Sequence, residues 1–121
     1  MAKIKTFEGA CKALRLDPEK CLPKVTGVPK HHQEAIVAHA KLVIITEAIN
    51  EGWKPDWKDD AQYKYYSWFD MSSGSGLSFD GCDSYCSGSA VGSRLCFKSR
   101  ELAQEAGKQF KKLYEQYFVI S

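Results

Sequence analysis

The chain lacks any long hydrophobic run. Its longest strongly apolar stretch is Leu42–Ile45, far short of the roughly 20 residues that a membrane-spanning helix needs. The first residues include lysines but no apolar segment of signal-peptide length. We therefore expect a cytoplasmic protein that does not associate with membranes.

The motifs of nucleotide-binding and serine-nucleophile enzymes are also missing. Glycines are frequent between residues 74 and 92, yet neither G-x-x-x-x-G-K-[ST] nor G-x-G-x-x-G occurs there. Serines are numerous, but none lies in G-x-S-x-G. We therefore predict no catalytic residue and no cofactor.

Cysteine is present in an odd number, five, at irregular spacing. Cys82 and Cys86 form a C-x3-C pair, with Cys96 further on, but a zinc site usually needs two such pairs of ligands. We therefore predict free thiols and no metal site. Cys11 and Cys21 are close enough in sequence to form a disulfide, although nothing in the pattern requires one.

Histidines and aspartates offer a weaker route to catalysis. His32 and His39 are two helical turns apart and share a face, but no H-E-x-x-H pattern accompanies them. Asp56, Asp59 and Asp60 lie beside a tryptophan, as acids do in some sugar-cleaving or metal sites, and are also ordinary turn residues. The turn interpretation is preferred. A small hydrolase or metal-dependent enzyme that uses these aspartates or the histidines is a hypothesis ranked after the two given below.

Composition predicts one globular domain over residues 1–121, because 44% of residues are hydrophobic and 26% are charged. Thr6 can cap a first helix that ends at Asp17-Pro18. A breaker-free, largely apolar stretch over residues 31–50 predicts a central core helix that Gly52 terminates. Ser99 caps a last helix, whose apolar stripe is Leu102, Ala106, Phe110, Leu113 and Tyr117.

Three strands are predicted between the second and last helices. Lys64–Asp70 is rich in aromatics, Leu77 and Phe79 alternate with polar residues, and Arg94–Lys98 suggests a third strand. The expected fold is therefore α+β: a small antiparallel three-stranded sheet with helices packed on one face, in the order α-α-β-β-β-α. Residues 72–93 include eight serines and five glycines and are expected to form a mobile loop or a weak strand.

Aromatic and basic residues are concentrated in residues 53–98, which contain all three tryptophans and four of the six tyrosines. Alternation along the first strand places Lys64, Tyr66 and Trp68 on one face. If that face is exposed, it suits base stacking with phosphate contacts, although a net charge of +2 is mild for a nucleic-acid binder. The candidate binding residues are Trp53, Trp57, Lys64, Tyr66, Trp68, Arg94 and Lys98.

Three segments carry a resemblance to a known group of sequences: EAINEGWKPDW (47–57), QYKYYSWFDM (62–71) and SRLCFKSRELAQEAGKQF (93–110). The chain resembles a family of small uncharacterised proteins from phages and prophages of gut Bacteroidales. That family often has proline where this chain has Ser67, and it varies in the Ser/Gly-rich region. The resemblance implies a phage-linked context and transfers no catalytic residue.

Our preferred hypothesis is a non-enzymatic accessory protein of phage or prophage type that binds another protein. A fold with clear patterning but no catalytic constellation favours it, and tryptophan and tyrosine are frequent interface anchors. The alternative is single-stranded nucleic-acid binding through the aromatic and basic face of the sheet.

Overall fold

The computed structural model describes residues 4–71, 78–86, 89 and 91–120, which combine helices with a pair of strands. The predicted three-stranded sheet is wrong, since the described residues form a sheet of two strands. The elements are α1 (Phe7–Ala13), α2 (Lys30–Asn50), β1 (Lys64–Asp70), β2 (Ser78–Tyr85), a short 3-10 helix (Ser93–Leu95), α3 (Arg100–Gln109) and α4 (Lys111–Phe118).

Local chemistry sets the ends of the first two helices. The Thr6 hydroxyl accepts a hydrogen bond of 2.9 Å from the Gly9 N–H, as expected of an N-cap. Helix α1 nevertheless ends at Ala13, before the predicted Asp17-Pro18 stop. Helix α2 ends at Asn50, and the next two residues, Glu51 and Gly52, have positive φ angles of 51° and 90°. The left-handed residue that ends the helix is therefore Glu51, and the predicted Gly52 follows it.

Strand β1 has the predicted bounds and pairs antiparallel with β2. Trp68 lies opposite Gly81, and Phe69 lies opposite Phe79, so Asp80 is an extra residue in β2. Gly81 accommodates this bulge with a φ of 120°, which glycine adopts without a steric penalty. Of the predicted second strand, Leu77 lies outside the described residues, as do 72–76, 87–88 and 90 of the Ser/Gly-rich region.

The predicted third strand at Arg94–Lys98 is wrong. Ser93–Leu95 form a 3-10 turn, and only Phe97 bridges β1, through two backbone hydrogen bonds with Tyr65 of 3.1 and 2.7 Å. The Asn50 side chain donates to the Cys96 carbonyl at 2.8 Å and accepts from the Lys98 N–H at 3.2 Å. The backbone groups of Cys96 and Lys98 therefore bond to a side chain of α2, and they do not pair with β1 as a third strand would.

The single predicted last helix is two helices. The Ser99 hydroxyl caps α3 by accepting from the Leu102 N–H at 3.2 Å, as predicted. The chain turns at Phe110, with φ −112° and ψ 25°, and α4 follows. Because of that turn, α3 packs on the two strands while α4 packs on α2. The inward stripe therefore shifts from Tyr117, which is 36% exposed, to the buried Tyr114.

The core consists of two adjoining clusters. The larger one joins α1, α2 and α4 to Phe69 and Leu95, and the smaller one packs α3 against Phe97. Helix α2 contributes Leu42 and Ile45, each 1% exposed, to the larger cluster, which confirms its central position. Strand β1 lies at the junction, because Tyr65 contacts the smaller cluster and Phe69 belongs to the larger.

Candidate binding surface around Trp68

Alternate side chains of β1 point to two different environments. On the inner face, the Ser67 hydroxyl donates to the Ala103 carbonyl of α3 at 2.6 Å. The Phe69 ring lies 4.9 Å from the Tyr114 ring of α4, between centroids. These contacts hold the inner face of the strand against α3 and α4, so the opposite face, with Lys64, Tyr66 and Trp68, points away from these helices.

Base stacking with phosphate contacts on this face requires Lys64 to point into solvent. Lys64 is instead fully buried. Its ammonium donates to the Asp59 carbonyl at 2.9 Å and to the Cys86 carbonyl at 2.5 Å. It also lies 5.2 Å from the centroid of the Trp57 ring, within the range of a cation–π interaction. Lys64 therefore fastens the loop before β1 to the end of β2, and its charge is unavailable to a phosphate.

Trp57 is half-buried, with its ring over that ammonium. This contact gives the ring a structural role, because it covers a charge that would otherwise be poorly solvated. Tyr66 is also buried, at 6% exposure. Three of the candidate binding residues are therefore wholly or largely withdrawn from the surface.

Trp68 is 49% exposed and is a large aromatic that this face presents to solvent. The residue opposite it on β2 is Gly81, which has no side chain to cover the indole ring. The Tyr66 ring meets the Trp68 ring in an edge arrangement, with 6.3 Å between centroids. Trp68 thus keeps about half of its surface open to water while its ring contacts Tyr66.

The remaining candidates lie at separate places. Trp53 is half-buried in the turn after α2, and its backbone N–H donates to the Asn50 carbonyl at 3.0 Å. Arg94 is exposed on the 3-10 turn, and Lys98 is exposed just before α3. Among the described contacts, none brings Arg94 or Lys98 to Trp68, so the structure does not assemble the seven residues into one surface.

Two of the acidic candidates are turn residues, as the preferred interpretation predicts. The Asp56 carboxylate accepts from the Lys58 N–H at 3.0 Å, and the Asp59 carboxylate accepts from the Ala61 N–H at 2.9 Å. Both are local turns that aspartate commonly stabilises. Within the described part of the chain, no group of three or more histidine, cysteine or acidic residues is placed to hold a metal ion. The Cys82 side chain lies outside that part.

The histidines differ from the prediction of solvated helix residues in one case. His31 and His32 are exposed near the start of α2. His39 is half-buried and stacks on Tyr117 of α4, with 4.5 Å between ring centroids. Sequence spacing within α2 contains no signal for this contact, because it depends on how α4 packs after the turn at Phe110.

A shallow groove of about 400 Å³ adjoins the end of β1, lined by Met71, Val91, Tyr117 and Phe118. The sequence pattern does not predict this groove, because the apolar spacing places Tyr117 on the inward stripe. Met71 is 54% exposed and Ile120 is 83% exposed. Exposed apolar side chains therefore accumulate where β1 and α4 end.

No helix among the described residues combines the length and apolar character needed to cross a membrane. Comparison of the chain with protein-family models, with curated proteins and with solved structures finds no match.

Proposed function

We propose that this protein is a non-enzymatic interaction module that binds another protein through a surface anchored by Trp68. The observation that carries the proposal is a half-exposed tryptophan on a paired strand, opposite a glycine. Tryptophan is among the residues that contribute most to binding energy when an interface covers them. A tryptophan side chain has only two rotatable bonds, so it loses little conformational entropy on binding, which favours affinity.

Apolar side chains near the end of the same strand support a protein as the partner. Met71 and Tyr117 line the groove where β1 and α4 end, on the side of β1 where Phe69 packs against Phe118, and both retain exposed area. A protein partner that inserts aliphatic or aromatic side chains would remove this area from water, which contributes about 25 cal/mol per Å² before the costs of association.

Single-stranded nucleic acid is the alternative occupant, and the exposed indole of Trp68 favours it because bases stack on such rings. The predicted platform needed Lys64 and Tyr66 beside that ring, and both are buried. The exposed cations Arg94 and Lys98 have no described contact with it. None of these residues is therefore shown to offer a phosphate contact beside the Trp68 ring, and we favour the protein partner.

The resemblance to proteins of phages and prophages supports a phage-type accessory role, with a partner encoded by the same genome. We propose that it acts in the cytoplasm of the host cell. Both assignments belong to the proposal and direct where the partner is sought.

Co-purification with a matched pair of variants tests the proposal. Trp68→Ala removes the anchor, whereas Tyr63→Ala removes another exposed ring, 52% accessible, from the segment before β1. We expect Trp68→Ala to reduce recovery of one defined partner protein at least roughly tenfold, as for a hot spot of about 1.4 kcal/mol or more. Tyr63→Ala should retain that partner.

Circular dichroism and urea unfolding of both variants serve as the folding control. Equal recovery by folded Trp68→Ala and wild-type protein would contradict the proposal. Recovery of nuclease-sensitive material in place of a protein would establish the nucleic-acid alternative.

A further inference from the structure

Two cysteine sulfurs meet at the base of α1. The Cys11 and Cys21 Sγ atoms are 3.7 Å apart, and both residues have free thiols. Cys11 is fully buried in the larger core cluster, whereas Cys21 is half-buried at its edge. A disulfide needs about 2.05 Å between sulfurs, so a small side-chain adjustment separates this contact from a bond.

The chain between the two cysteines is organised to keep them together. The Leu16 N–H donates to the Cys11 carbonyl at 2.8 Å, which closes the end of α1. The Lys20 and Cys21 N–H groups both donate to the Asp17 carbonyl, at 3.0 and 3.1 Å. This turn returns the backbone so that Cys21 faces Cys11, and the approach of the sulfurs is a consequence of local folding.

We propose that Cys11 and Cys21 form an oxidisable dithiol site, which small-molecule disulfides convert into an intramolecular disulfide. The site is independent of the surface around Trp68, since it lies on α1 and the turn that follows it. The reactants are two protein thiols and one low-molecular-weight disulfide. The products are one protein disulfide and two small thiols.

The exchange proceeds in two balanced steps. The Cys21 thiolate attacks one sulfur of the small disulfide, forms a mixed disulfide and expels a small thiolate, which takes up the proton that Cys21 released. The Cys11 thiolate then attacks the Cys21 sulfur of the mixed disulfide, which forms the Cys11–Cys21 bond and expels the second small thiolate. Two electrons pass from the protein thiols to the small disulfide.

The two cysteines differ in burial, and this difference determines which thiol reacts first. Cys21 is partly accessible and can meet a solute, whereas Cys11 is reached only by its neighbour. Burial, the hydrogen bond with Cys21 and the negative charges of Cys21, Glu8 and Asp17 together raise the pKa of the Cys11 thiol to about 11. Because the thiolate is the nucleophile, Cys11 acts only as the resolving thiol after Cys21 has been modified.

Two other cysteines, Cys86 and Cys96, provide internal controls. Cys96 is fully buried, and its S–H donates to the Gly92 carbonyl at 3.1 Å. Cys86 is half-buried near the end of β2, and no described contact joins its sulfur to another cysteine. Neither residue is therefore expected to form the intramolecular bond.

Oxidation with glutathione disulfide, followed by acid quench and intact mass spectrometry, tests the proposal. We expect the full chain to lose roughly 2 Da, the mass of the two thiol hydrogens, and to retain three of its five cysteines for alkylation after denaturation. Peptide mapping should locate the bond between residues 11 and 21. Dithiothreitol should restore all five thiols.

Two single variants separate the steps. Cys11→Ser should stop at a mixed disulfide and carry one glutathionyl group on Cys21, because the resolving thiol is gone. Cys21→Ser should remain unmodified at Cys11. A wild-type protein that accumulates the mixed disulfide on Cys21, or that keeps five alkylatable thiols, would overturn the proposal.

Discussion

At the scale of single residues, Lys64 shows how a side chain that is expected to bind a ligand can serve the fold instead. Its ammonium is enclosed by two backbone carbonyls and the Trp57 ring. Hydrogen bonds from a charged donor contribute about 1.5–3 kcal/mol each when buried acceptors depend on them. The residue joins two segments that are separated in sequence by more than twenty positions.

The pair formed by Lys64 and Trp57 can be measured with a double-mutant cycle. Lys64→Met should lower the free energy of unfolding by about 2–3 kcal/mol, because two carbonyls lose their donor. Trp57→Ala and the double variant complete the cycle, and we expect a coupling energy of about 1 kcal/mol from the cation–π contact. Urea denaturation of the four proteins gives these values, and strictly additive effects would contradict the contact.

Three buried acids predict how stability depends on alkaline pH. Burial raises the pKa of Cys11 and Cys96 to about 11 and that of Tyr114 to about 12. In the unfolded chain these groups titrate near 9 and 10, so above pH 9 the folded protein binds more protons than the unfolded one. The contribution of these groups to the free energy of unfolding is therefore fully present below pH 9 and is lost as the pH rises towards 12.

Urea unfolding at pH 8 and pH 11 should show a loss on the order of a few kcal/mol. Cys96→Ala removes one of the three groups and should make the loss smaller, while the wild-type pH 8 value provides the reference. A free energy of unfolding that is unchanged between the two pH values would show that these groups are not shielded from water.

At the scale of secondary-structure elements, local sequence patterns predict the helix starts and the strand whose positions are set by local contacts. Thr6 and Ser99 cap their helices, and β1 spans the predicted residues. The third strand failed because Asn50, more than forty residues away, binds the Cys96 and Lys98 backbone. The last helix was expected to be continuous, since a turn at Phe110 without proline or glycine leaves no mark in the sequence.

Asn50 should therefore be important for stability. Asn50→Ala removes the donor to the Cys96 carbonyl and the acceptor of the Lys98 N–H, so two backbone groups lose their partners. We expect the free energy of unfolding to fall by about 2–3 kcal/mol. Lys98→Ala keeps both backbone groups and is the matched control, with an expected change within about 0.5 kcal/mol. Equal effects of the two substitutions in urea titrations would contradict this role for Asn50.

At the scale of the whole molecule, the candidate surface was only partly predictable. Alternation along β1 predicts that Lys64, Tyr66 and Trp68 share a face. The burial of Lys64, however, depends on the Trp57 loop, and the exposure of Trp68 depends on the glycine opposite it. Neither depends on the strand's own sequence. The groove beside Met71 was missed for a related reason, because it requires α4 to turn and pack on α2.

The proposed function rests on Trp68 as an exposed anchor for a protein partner. The most direct measurement is photo-crosslinking in the cells that produce the protein, with a benzophenone amino acid at position 68 and, as a control, at position 63. The proposal predicts a specific protein adduct from position 68 that position 63 does not give. Adducts of equal pattern from both positions, or adducts that nuclease removes, would contradict it.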